Sequence, residues 1–183
     1  VSTDGRAGEE AGPRPRVVLV CGPAGSGKST HARRLGRDGY VVLSFDAAAW
    51  SRGHRHHPLD ADVALEVHAL LQRELLARLA AGDRVAVDTS FWSRASRDGY
   101  RALLRPLGVE PVVHHLDTPR AVVLERLARR RNAGPDDVVV PPERATAYLD
   151  GFEAPTPDEG PLVTFPGGPP CGTVELNSSP EEK

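Results

Sequence analysis

Cysteine is scarce in this 183-residue chain, which holds only Cys21 and Cys171. Two thiols so far apart give no disulfide framework of the kind that staples small secreted domains. Cys21 ends an apolar run and reads as a small core residue. Lysine is just as scarce: Lys28 and Lys183 stand against 21 arginines. No apolar run approaches the ~18–20 residues needed to span a bilayer. The first residues are polar and lack the apolar core of a secretory leader. Charge of one sign is lacking too. The net charge of −2 supplies no global basic field for nucleic acid. These absences lead us to expect a cytoplasmic protein with reduced thiols and no membrane segment.

What is present is enough apolar material for one core. Hydrophobic residues make up 39% of the chain, and the length fits a single domain that folds without staples. Residues 1–15 are rich in Gly, Glu and Pro, and 166–183 are similar, so both are expected to be disordered tails around a domain at 16–165. Arg16 to Cys21 is a short β-branched run, a buried strand. Further strands are expected at Tyr40–Phe45, Arg84–Val87, Pro111–Leu116 and Leu162–Phe165. Helices are expected at Lys28–Arg37, Asp60–Ala81, Ser93–Leu107, Thr118–Arg131 and Pro141–Phe152. The second of these carries Val63, Val67, Leu70, Leu71, Leu75 and Leu79 at helical spacing. Thr118 is read as its helix's cap with Pro119 at the first position. Asn132–Val140 is read as a loop. Strands alternating with helices imply a parallel sheet with helices on both faces. In such sheets ligands bind beyond the carboxyl ends of the strands, so the residues after each strand are the ones to inspect.

After the first strand comes Gly22-Pro23-Ala24-Gly25-Ser26-Gly27-Lys28-Ser29, the G-x-x-x-x-G-K-S phosphate loop. Its glycines let backbone N–H groups turn inward around phosphate oxygens. Lys28 reaches the β- and γ-phosphates, Ser29 ligates Mg²⁺, and the helix N-terminus faces the anion. The triphosphate contacts are therefore assigned to Gly22, Ala24, Gly25, Ser26, Gly27, Lys28, Ser29 and Thr30. After the second and third strands come Asp46 and Asp88. Two carboxylates at strand ends beside such a loop suit two jobs, one holding Mg²⁺ and one accepting a proton from an attacking hydroxyl. An apolar strand ending in Asp is the Walker B pattern, so Asp88 is the metal-side candidate and Asp46 the base. Arg126 and Arg130 share a helix face and run into a loop, as a lid over the transferring phosphoryl group requires. Trp92, Arg94 and Arg97 follow Asp88 closely enough to hold a substrate ring and an anionic group. His54-Arg55-His56-His57 lacks the spacing of a metal site and reads as a loop.

On these residues the chain resembles the P-loop kinases of the adenylate-kinase-like group. More narrowly it resembles the ATP-binding proteins grouped with zeta toxins, polynucleotide 5′-kinases and chloramphenicol phosphotransferase. The resemblance covers about residues 16–165. It implies a three-layer α/β P-loop fold with a five-stranded parallel sheet of order 2-3-1-4-5 and an Arg-rich lid. It implies ATP and Mg²⁺ as cofactors, Asp46 as base, and Arg126 and Arg130 as lid arginines. Phe152-Glu153-Ala154-Pro155-Thr156 looks like a segment that lies near the nucleotide base, which puts Phe152 against adenine. One departure stands out: polynucleotide kinases often carry Arg three residues after the base, and here that position is Ala49. The expected activity is transfer of the γ-phosphoryl group to a hydroxyl of a small molecule, an antibiotic, nucleoside or sugar. A polynucleotide 5′-hydroxyl kinase and a nucleotide-binding switch or accessory ATPase are the alternatives.

Overall fold

The computed structural model describes residues 14–56 and 58–167. The first strand, β1 (Val17–Cys21), is buried along its whole length, as a central parallel strand covered on both faces must be. It pairs in parallel with β3 (Val85–Asp88) on one side and β4 (Val112–Asp117) on the other. Outside these lie β2 (Val41–Ser44) and β5 (Leu162–Pro166), giving the order β2-β3-β1-β4-β5, all parallel. The expected three-layer α/β fold and strand order are those observed.

Strand alternation sorts the core into two layers. Val17, Leu19 and Cys21 face α3 (Ala61–Ala80) and α4 (Arg94–Leu104), where Leu71, Leu75, Tyr100 and Leu104 are buried. Val18 and Val20 face α1 (Lys28–Arg37) and its buried Ala32 and Leu35. Burying each such Val or Leu stabilises by roughly 1.5–3 kcal/mol relative to exposure. Among the described residues no helix is long and apolar enough to cross a membrane.

Four local readings change. A short helix, α2 (Phe45–Ser51), follows β2 directly, so Asp46 sits in a first helical turn and not in a loop. Ser44 caps it by accepting from the Ala47 N–H at 3.3 Å. The cap followed by Ala47-Ala48-Ala49 is a helix signal in the sequence itself. α4 gives way to a 3₁₀ turn at Arg105–Leu107, because Pro106 lacks the N–H and clashes with the preceding turn. α5 runs only from Arg120 to Ala128, with Pro119 and not Thr118 at its N-cap. The segment between α5 and α6 (Pro142–Asp150) is ordered: Val138 and Val140 are buried, and the Asp137 carboxylate accepts from the N–H groups of Arg131 and Ala133. The domain is also slightly wider than 16–165. Tyr40 donates its hydroxyl to the Pro15 carbonyl, and the Gly167 N–H donates to the Asp117 carbonyl. Residues 1–13 and 168–183, with Cys171 and most of the two expected tails, lie outside the described residues.

β4 contributes an acid-sensitive contact. His114 lies 2.9 Å from His31 of α1, nitrogen to nitrogen, and its ring is 5.0 Å from Phe165. Burial, and secondarily His31, push the His114 imidazole down from 6.5 to about 4. The unfolded chain therefore takes up a proton that the folded chain refuses. The stability that depends on a neutral His114 is intact above 6.5 and drains away as pH falls toward 4. We expect the urea stability of His114→Phe to gain on the wild type by about 2 kcal/mol across that window. A gap that does not change with pH would refute this account.

Candidate active site

The site is assembled where β1, β2 and β3 end. The phosphate loop leaves β1 at Cys21 and enters α1 at Lys28 through Gly25 and Gly27, at φ 83° and 101°. Side chains rarely adopt this left-handed backbone. A Cβ on Gly25 would also lie 3.1 Å from the Val123 carbonyl of α5. Thr118 braces the loop by donating its hydroxyl to the Ser26 carbonyl at 2.8 Å. The reading of Thr118 as a helix cap is thus replaced by a role under the phosphate loop. Only its position after a strand could have hinted at this.

Lys28 donates to the Pro23 carbonyl at 3.0 Å, which holds its ammonium over the loop. Ser29, one residue on, faces the Asp88 carboxylate and favours its charged form. Asp88 is 4% exposed. Burial pushes its carboxyl up to about 6 against the pull of Lys28, with nearby Asp46 adding to the rise. Asp46 stands in the first turn of α2.

Two concavities flank these groups. One, of about 260 Å³, is lined by Gly25, Gly27, Ser29, Thr30, Arg33 and Arg126, and its outer wall is Asp136 and Asp137. Arg126 reaches the Gly25 carbonyl at 3.3 Å, and Arg33 is held by Asp136 at 2.6 Å. The other, of about 310 Å³, is walled by Phe45, His68, Trp92, Tyr148 and Phe152. Ala24, Lys28, Asp46 and Arg130 line both. Arg130 is fixed by donation to the Val138 carbonyl at 3.0 Å.

Two expected contacts fall elsewhere. Arg97 is not at the cavity. Its side chain is fully buried, paired through two bonds of 2.7 Å with Glu159 and bonded to the carbonyls of Phe91 and Glu153. Arg94 turns outward to Asp158 at 2.8 Å. Both are drawn away by acidic residues of the 153–159 segment, which packs against the start of α4. Phe152 lines the 310 Å³ concavity and a smaller one beside His115, not the phosphate concavity. Its ring stacks 5.9 Å from His115 of β4. Trp92 does line the cavity. Its presentation depends on Phe91, which takes φ 45° and buries its ring against Tyr100. Phe45, His68 and Tyr148 also line the cavity; in the sequence Phe45 reads as the end of a strand, and His68 and Tyr148 as positions inside helices with nothing to mark them.

The geometry of a phosphate loop with a buried acidic strand end defines a P-loop nucleotide-binding fold. The sequence profile of the family described as AAA domain matches residues 17–155, and the chain belongs to that family. Within it, this is a P-loop kinase-like protein of the adenylate-kinase-like group. No curated protein matches the sequence. A sugar kinase from Janibacter sp. HTCC2649 is similar in structure, with 26% identity, a TM-score of 0.60, and 84% of this chain and 86% of that one covered. A gluconokinase from Sinorhizobium meliloti 1021 is similar at 24% identity and TM-score 0.62, with 86% of each chain covered. Chaetomium thermophilum Kti12, solved with ADP-AlF3, shares the fold at 18% identity and TM-score 0.61, covering 82% of this chain and 88% of that one.

Proposed function

We propose that the protein is an ATP- and Mg²⁺-dependent kinase that transfers the γ-phosphoryl group to a hydroxyl of a small molecule. The observation that carries this reading is the junction of the two concavities at Lys28, Asp46 and Arg130. A donor phosphate on the loop side and an acceptor hydroxyl on the aromatic side would meet there. The similarity to a sugar kinase supports the same class of acceptor.

In this mechanism the loop amides, Lys28 and Thr30 hold the triphosphate, and Arg126 closes over it. The acceptor oxygen attacks the γ-phosphorus. The bond from that phosphorus to the β,γ-bridging oxygen breaks, and ADP leaves. Asp46 accepts the hydroxyl proton. Lys28 and Arg130 offset the charge that spreads over the equatorial oxygens. Ser29 and Asp88 offer hard oxygen donors side by side, and no group of three or more His, Cys, Asp or Glu gathers into a metal cage among the described residues. That donor set suits Mg²⁺, which usually keeps waters and takes phosphate oxygens as further ligands. Bound there, Mg²⁺ would neutralise β- and γ-phosphate charge.

Two observations favour this acceptor class over the alternatives. Ala49 is 4% exposed and faces the core, so that position cannot serve a nucleic-acid phosphate. Gln72, Glu66 and Glu74, the side chains available to orient a hydrolytic water, line neither concavity. The test is Asp46→Asn. ATP affinity should stay near the wild-type value while kcat falls by roughly 10²-fold or more, as for loss of a general base. If the substitution mainly weakens Mg²⁺ affinity, Asp46 and Asp88 exchange roles.

A further inference from the structure

The acceptor-side concavity is selective in charge as well as size. At about 310 Å³ it lies at the small end of ligand sites, which run from roughly 300 to 1,000 Å³. Its charged groups, Lys28, Asp46 and Arg130, all sit at the end shared with the phosphate concavity. The rest of the wall is aromatic: Phe45, His68, Trp92, Tyr148 and Phe152, with Val140. His68 packs on Phe45 with ring centroids 4.6 Å apart, and burial holds its imidazole below the ordinary value. It adds a ring and no cation at neutral pH. Thr89 and Ser90 add hydroxyls there, beside the Tyr148 phenol and the Trp92 indole N–H.

The arginines nearest the cavity in sequence are engaged elsewhere. Arg97 is buried with Glu159, and Arg94 binds Asp158. Arg52 donates to the Ala48 carbonyl at 3.2 Å, and Arg55 lies 3.8 Å over the Trp50 ring. A carboxylate or phosphate on the acceptor would enter an aromatic end lined by no cation among the described residues, with nothing there to offset its desolvation. A flat ring loses nothing by entering. The Trp92 indole, 58% exposed, has a face to give it.

We infer that the acceptor is an uncharged alcohol bearing a flat unsaturated ring, packed against Trp92 and Phe152 with its hydroxyl toward Asp46. This rests on the kinase reading above and narrows it. It sets the chain apart from a kinase for sugar acids, although a gluconokinase shares its fold.

Four probes separate ring from charge: thymidine (neutral, ring), thymidine 5′-monophosphate (anionic, same ring), glucose (neutral, no flat ring) and gluconate (anionic, no ring). Calorimetric titrations of the full chain, with Mg²⁺ and a non-hydrolysable ATP analogue, should rank thymidine at least about tenfold tighter than the others. Trp92→Ala should cost about tenfold in thymidine affinity, as loss of one base-stacking ring does, and leave the ATP-analogue affinity unchanged. Tighter binding of either anion, equal binding of all four, or binding of none overturns the inference. Incubation with Mg²⁺ and ATP tests the underlying reading separately, with phosphate gain read by mass. Transfer to glucose or gluconate in place of thymidine keeps the kinase and overturns this acceptor. ATP yielding only ADP and inorganic phosphate with all four overturns both.

Discussion

Lys28→Ala should remove phosphoryl transfer, with kcat/KM falling by at least about 10³-fold. The size of the effect follows from placement. Lys28 is the one lysine in the described residues, it lines both concavities, and its ammonium is already held over the loop by the Pro23 carbonyl. An ammonium at that junction acts on charge that develops in transit, so its removal should lower kcat and not only weaken binding. Fold stability should stay within about 0.5 kcal/mol of wild type, because the side chain is only partly buried. A kinetic series with thermal melts of both proteins measures the two effects together. Unchanged turnover would remove the phosphate loop from the chemistry altogether.

Arg97→Met should have the largest effect on stability, a loss of roughly 3–5 kcal/mol. For a domain of this length that lowers Tm by about 10 °C. The Arg97 and Glu159 side chains are 0% and 2% exposed, so removing the guanidinium strands a carboxylate away from water. Arg101, 3.2 Å from Glu159, compensates only in part. The pH signature is specific. Arg97 holds the Glu159 carboxyl down from 4.5 to about 2. The folded pKa is depressed, so this stabilisation is complete above 4.5 and is lost as pH falls toward 2. The variant should lack that acid loss, and Arg97→Met with Glu159→Gln should recover part of the stability. Arg97 also holds the Phe91 carbonyl behind Trp92, so acceptor KM should rise in the variant. An unchanged Tm with a raised KM would instead return Arg97 to the acceptor site.

Much of the fold was legible because its signals are local. The run at 17–21, the stripe from Val67 to Leu79 and the Ser93 cap each appear in the structure within a residue or two of the expected place. The α2 helix is absent from the sequence reading, although Ser44 and the three alanines signal it, because it directly abuts β2 with no intervening turn. Pro119 pulled the reading of Thr118 toward a helix cap, whereas its hydroxyl has a partner 92 residues away. The lid segment reads as loop because its order comes from Val138 and Val140 packing near α5 and α6, which no local pattern announces.

The sequence by itself determined the phosphate loop, since eight contiguous residues with glycines at the left-handed positions close that anion site. It also determined the alternation of strand and helix and, through the family resemblance, the order of the sheet. Only the tertiary structure decided what the arginines do and what walls the acceptor cavity. Periodicity sets the direction of a side chain relative to its own helix or strand. It does not say that a carboxylate 62 residues on will claim Arg97, or that rings from α2, α3, α6 and the two turns after β3 and α6 will converge on one space.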